Sequence, residues 1–128
     1  MGTGTSVGRV RGLGSARSGT HHWWLQRVTA AGNLLLAVWL FVSLLSLPLH
    51  DHRAMTLWLS SPWVATALIL ATVNIFWHLR LGLQVVLEDY QHDSIKVVGL
   101  ILLNFYAIGG AALAVFSILR VAFSGAAS

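Results

Sequence analysis

The chain has no cysteine, and only two of its 128 residues are proline. Without thiols it forms no disulfide and offers no ligand of its own to an iron–sulfur cluster or a thiolate-bound zinc, so any such centre belongs to a partner. Charge is also scarce: 9% of residues are Asp, Glu, Lys or Arg, against roughly a quarter in a water-soluble domain. Eight basic residues face four acidic ones, and Arg9, Arg11, Arg17 and Arg27 fall in the first 27 positions. Diluted by Gly and Ser, they form no dense basic patch, which argues against nucleic acid as a partner.

What is present is apolar. Hydrophobic residues make up 56% of the chain and the mean hydropathy is +0.74, the composition of an integral membrane protein. At roughly 20 residues per span, the length accommodates three or four crossings. Residues 1–20 are rich in Gly, Ser and Thr without periodicity and are expected to be a flexible tail. The next apolar segment is too long for a signal h-region and lacks a convincing cleavage site, so it is read as a true span. Three spans are predicted at about residues 25–47, 63–87 and 96–119, within a membrane domain of residues 21–121. Residues 122–128 are left as a short tail.

The flanks of these spans carry their own signals. Trp23 and Trp24 suit an interfacial belt. Asn33, Ser43 and Ser46 inside the first span suit packing against neighbouring helices. The link from Leu49 to Leu59 contains His50-Asp51-His52, a metal-like triplet, but a solvated loop provides no fourth ligand and no supporting hydrogen bonds. Ser60-Ser61-Pro62 reads as a cap followed by proline at the first helical position. Gly109-Gly110-Ala111-Ala112 in the third span permits close helix approach. With three spans, Arg9, Arg11, Arg17, Arg27 and Lys96 lie on one side and Arg53 and Arg120 on the other. This bias predicts a cytoplasmic N-terminus and a C-terminus on the opposite side.

The second span carries the candidate chemistry. His78 sits deep, and Asp89 and Tyr90 stand at the exit. His78 and Asp89 are eleven positions apart, about 1100° of helical turn, which returns to within roughly 20° of the same face. Asn74, Gly82 and Val85 fall near that line, and a glycine one turn from a histidine leaves room for a flat group. At about 1.5 Å per residue His78 lies roughly 18 Å below Tyr90, near mid-bilayer, where a neutral ring with one available nitrogen is expected. Such a nitrogen suits haem iron; a hydrogen bond to a neighbouring helix is the other reading, and the residue alone does not separate them. The remaining histidines, His21, His22, His50, His52 and His92, lie at or beyond the interfaces. Bis-histidine ligation would therefore need a second subunit, making this chain half of a haem-binding helical bundle.

Arg80 points about 200° around the helix from His78 and starts a second polar stripe with Gln84 and Glu88. Its long arm could reach a haem propionate or pair at a subunit interface. Tyr90 can donate to a quinone carbonyl, with Asp89 nearby to orient a basic group or pass protons, although tyrosine is common at membrane interfaces for other reasons.

Three features together resemble one family. They are the head Gly12-Leu13-Gly14-Ser15-Ala16-Arg17-Ser18-Gly19-Thr20 with His22-Trp23-Trp24-Leu25-Gln26-Arg27-Val28-Thr29-Ala30, the second-span set His78, Gly82, Gln84-Val85-Val86 and Asp89-Tyr90, and the three spans. Over nearly its whole length the chain resembles the D-type hydrophobic membrane-anchor subunits of succinate dehydrogenase (succinate:quinone oxidoreductase, complex II) of alphaproteobacterial and mitochondrial type. The resemblance implies an all-α integral membrane protein with three transmembrane helices in a cell inner membrane or its equivalent. It implies that His78 is an axial ligand to haem b, with the opposite ligand from a cytochrome b-type anchor subunit. It also implies that Tyr90 contacts ubiquinone with Asp89 in support, and that Arg27 lies near the quinone or haem. Flavoprotein and iron–sulfur subunits would be the other partners, and succinate would never meet this chain. Two further readings compete: a haem-free membrane anchor or assembly protein, and a small proton-relay protein using His78, Arg80 and Asp89. The relay would be expected to carry further intramembrane acids, which the first and third spans lack.

Overall fold

Both prolines, Pro48 and Pro62, fall between the apolar runs, so nothing inside a run breaks a helix. In hydrocarbon, each backbone N–H and C=O must then be paired within its own segment. The computed structural model describes residues 17–90 and 93–125, and four helices order those residues. They are α1 (Arg17–Leu45), α2 (His52–Ser60), α3 (Pro62–Tyr90) and α4 (Asp93–Gly125). The stretches Gly19–Leu45, Pro62–Asp89 and Ser94–Ser124 are long and apolar enough to cross a membrane. The chain is an all-α, multi-pass membrane protein.

Helix α1 begins at Arg17, so the last four residues of the stretch read as tail are helical. Extending an existing helix adds one hydrogen bond per residue fixed, and Thr20 to Arg27 contains no breaker to stop it. Helix α4 likewise runs on to Gly125, past the predicted end of its span. The rest of the two predicted tails, residues 1–16 and 126–128, lies outside the described residues.

The link between the first two spans departs from expectation. From His52 to Ser60 it is a helix, α2, while Leu49, His50 and Asp51 precede it as exposed turn. Asp51 caps it, its Oδ1 accepting from the backbone N–H groups of Arg53 at 2.9 Å and Ala54 at 3.3 Å. That cap accounts for the central member of the His50-Asp51-His52 triplet. Met55, Trp58 and Leu59 are half-buried at helical spacing while Arg53 and Leu57 are exposed, so α2 turns one face to α3 and α4. Trp58 also stacks on Trp39 of α1, with ring centroids 6.2 Å apart. Ser61 serves two helices: its N–H donates to Trp58 O at 3.2 Å, and its carbonyl accepts from Ala65 N at 2.9 Å. Pro62 then opens α3, where a missing N–H costs nothing.

Helix α3 is the middle of a row. It packs against α1 on one side and α4 on the other, and α1 and α4 share no contact among the described residues. The buried residues are mostly small, with Ala65 and Ala71 on α3 and Ala107 on α4, beside Leu81, Leu103 and Thr29. Small side chains let helix axes approach where water supplies no hydrophobic drive. At the α3–α4 contact Gly110 is required: a Cβ there would fall 2.5 Å from Phe76 Cε1. Its neighbour Gly109 faces open space. Within the glycine-alanine cluster, Gly110 and the half-buried Ala111 face α3, while Gly109 and Ala112 are exposed.

Candidate functional site

Residues four apart on a helix share a face, and two such pairs meet between α1 and α3. Thr29 and Asn33 project from α1; Asn74 and His78 project from α3. The helices run antiparallel, so Thr29 meets His78 and Asn33 meets Asn74. His78 Nδ1 lies 2.9 Å from Thr29 Oγ1. Asn74 Nδ2 donates to Thr29 O at 2.7 Å and to Asn33 Oδ1 at 2.8 Å. Gly32 makes that approach possible, since a Cβ on it would lie 2.9 Å from Asn74 Nδ2. Thr29 is 7% exposed, and His78 is half-buried at the edge of the seam.

The seam lies well inside both helices. His78 is twelve residues from the end of α3 at Tyr90, and Thr29 is twelve from the start of α1 at Arg17; each interval is about 18 Å of helix. With Nδ1 engaged by Thr29, the Nε2 of His78 takes no hydrogen bond among the described residues. One turn on, Gly82 has nothing within 4 Å of where a Cβ would stand. Gly82 shares the helical face of His78, and a neutral imidazole with one nitrogen not engaged by a hydrogen bond has the chemistry of a haem-iron ligand. Seven residues before Thr29, and so on the same helical face, His22 has an Nε2 that is buried with no hydrogen-bond partner among the described residues.

Arg80 belongs to the opposite side of α3. Its Nε donates to Asn104 of α4, and its guanidinium lies 5.1 Å from the centre of the Trp77 ring. Both contacts border an apolar cleft between α3 and α4 that also includes Phe76 and Ala107. A haem propionate on the His78 side would lie across α3 from these two contacts. Gln84 donates to Glu88 at 2.8 Å, which links two members of the predicted second stripe. Arg27 is exposed with its guanidinium over Trp23, 5.5 Å from the ring centre. Asp89 is exposed near the end of α3. Tyr90 is the last residue of that helix, and its side chain, like His92, lies outside the described residues.

The model of the succinate dehydrogenase/fumarate reductase transmembrane subunit family matches residues 1–119. The chain belongs to that family. Among similar proteins, the succinate dehydrogenase hydrophobic membrane anchor subunit of Rickettsia conorii is 41% identical over 83 residues, 64% of this chain and 66% of the relative. The subunit of the same name from Rickettsia bellii is 38% identical over 82 residues, with 64% and 66% covered. The succinate dehydrogenase membrane anchor subunit of Reclinomonas americana is 30% identical over 104 residues, covering 72% of this chain and 80% of that one. The matches thus span about two thirds of the length of the Rickettsia relatives. No solved structure matches the chain.

As a transmembrane subunit of this family, the chain sets His78 on the side of α3 that meets α1, with Gly82 one turn on, and turns Arg80 to α4. Sequence reasoning missed Thr29 as the partner of His78. The signal was present as a pattern: Thr29 and Asn33 on the first span repeat the four-residue spacing of Asn74 and His78 on the second.

Proposed function

We propose that the chain is the hydrophobic membrane-anchor subunit of a succinate:quinone oxidoreductase, supplying through His78 one axial ligand to a haem b shared with a cytochrome b-type anchor subunit. The observation that carries this reading is a half-buried imidazole whose Nδ1 is held by Thr29, leaving Nε2 without a hydrogen bond among the described residues, one helical turn from Gly82. His78 is the deep histidine of this chain, so the second ligand belongs to the other anchor subunit. Haem b held there would supply a one-electron carrier within the membrane.

The other residues bind and orient. Arg27, long-armed and near the start of the first span, offers a cation to a propionate or to the quinone. Tyr90 donates a hydrogen bond to a carbonyl of ubiquinone at the end of α3, and Asp89 beside it is placed to relay protons from the aqueous face. Electrons reach ubiquinone from an iron–sulfur subunit, itself supplied by a flavoprotein subunit that handles succinate. This division agrees with a chain that has no cysteine. The complex would lie in an energy-transducing inner membrane, with the N-terminus of this chain in the cytoplasm. The test is His78→Ala in the purified four-subunit complex, read as the reduced-minus-oxidised spectrum. Loss of the low-spin haem b signal is expected; an unchanged spectrum sinks the assignment.

A further inference from the structure

The hydroxyl of Thr29 has three partners and a single hydrogen. Its Oγ1 lies 2.8 Å from Leu25 O, 3.1 Å from Gln26 O and 2.9 Å from His78 Nδ1. The two carbonyl oxygens can only accept. If the hydroxyl hydrogen pointed at the imidazole, the Thr29 oxygen would face both carbonyl oxygens with no hydrogen between them. Pointed at Leu25 O or Gln26 O, it leaves the Oγ1 lone pairs free to accept, and the Nδ1 of His78 must then carry the hydrogen that fills the contact. In a neutral imidazole a hydrogen on Nδ1 leaves Nε2 bare. The neighbouring contacts hold this arrangement in place. Thr29 is 7% exposed, and its own carbonyl is fixed by Asn74 at 2.7 Å. Water has little access to exchange the partners.

We infer that Thr29 is the positioning residue for His78: its hydroxyl, turned to the carbonyls of its own helix, accepts from His78 Nδ1–H, fixes the tautomer with a bare Nε2, and aims that nitrogen at the iron. The inference rests on the haem-ligand reading of His78 and adds to it a residue that does not touch the haem. A donated Nδ1–H bond raises the basicity of the ligating nitrogen, and a more basic ligand favours the oxidised iron. Thr29 thereby lowers the midpoint potential of the haem as well as orienting its ligand.

The test uses the intact complex with Thr29→Val, which keeps the shape and removes the hydroxyl, and Thr29→Ser, which keeps the hydroxyl and removes the methyl. Haem content and midpoint potential are read by spectroelectrochemical titration, with His78→Ala alongside. Thr29→Val is expected to weaken haem retention about tenfold to a hundredfold, the usual effect of losing such a support. The haem that remains is expected to titrate at a higher potential, while Thr29→Ser matches the parent in both respects. Should Thr29→Val yield no assembled complex, Thr29→Ser decides. Parent-like potential and haem content then uphold the hydroxyl, and a displaced potential or lost haem overturns it in favour of the methyl. A Thr29→Val complex with the parent's haem content and potential, while His78→Ala loses the haem, sinks the role of Thr29 and leaves the ligand standing. A His78→Ala complex with the parent's spectrum overturns both.

Discussion

At the scale of single residues, the polar seam concentrates four hydrogen-bonding side chains on one helix pair. Asn74 is the member that ties both ends together, bonding to Thr29 O and to Asn33 Oδ1. Interhelical hydrogen bonds in membranes average about 0.6 kcal/mol each, so Asn74→Leu is expected to weaken the α1–α3 pair by about 1–2 kcal/mol. Denaturant titration of the detergent-purified protein measures it, and a midpoint equal to the parent's would show that the seam is held by shape alone. His78 was legible in the sequence because an ionisable residue near mid-span is costly and conspicuous. Thr29 was not, for a physical reason. A threonine in an apolar helix commonly bonds the carbonyl four residues back, as Thr29 does with Leu25. That local bond hides any second partner from a reader of the sequence. Arg80 was legible as pointing away from His78, but its partner, Asn104, stands 24 residues on and shares no periodic signal with it.

At the scale of elements, the three spans could be read from hydropathy, while α2 could not. Nine residues between two breaks give little more than two turns of pattern, too few for periodicity to stand out from a loop. Its start was nevertheless written in Asp51, whose carboxylate caps the helix. The α3–α4 contact is tightest at Gly110, where the missing side chain makes room for the Phe76 ring. Gly110→Leu would place atoms where the Phe76 ring lies, and overpacking of this kind costs about 1–3 kcal/mol. Thermal unfolding followed by circular dichroism should show the loss, and Phe76→Ala in the same chain should recover part of it. If the second change brings no recovery, the two residues do not share the contact.

At the scale of the whole molecule, three crossing helices stand in a row with α3 between its neighbours, and His78 is half-buried on the side of α3 that meets α1. Produced alone, the protein is expected to purify without a six-coordinate haem b spectrum and to gain one when a cytochrome b-type anchor subunit is produced with it. A bis-histidine spectrum from this chain alone would mean that two copies close the site between them. The same arrangement bears on how the protein enters the membrane. The most apolar window of α3 has a mean hydropathy of 1.5, against 2.1 in α1 and 2.0 in α4. It is this least apolar of the three spans that carries Asn74, His78 and Arg80, and each finds its partner on a neighbour: the first two on α1, the third on α4. During synthesis α1 emerges first and can wait in lipid, whereas α3 gains shelter for one side from a helix already made and for the other from one not yet translated. Lasting residence of the middle span in the bilayer therefore belongs to the finished chain, and a ribosome halted before Asn104 would leave Arg80 without its Asn104 partner.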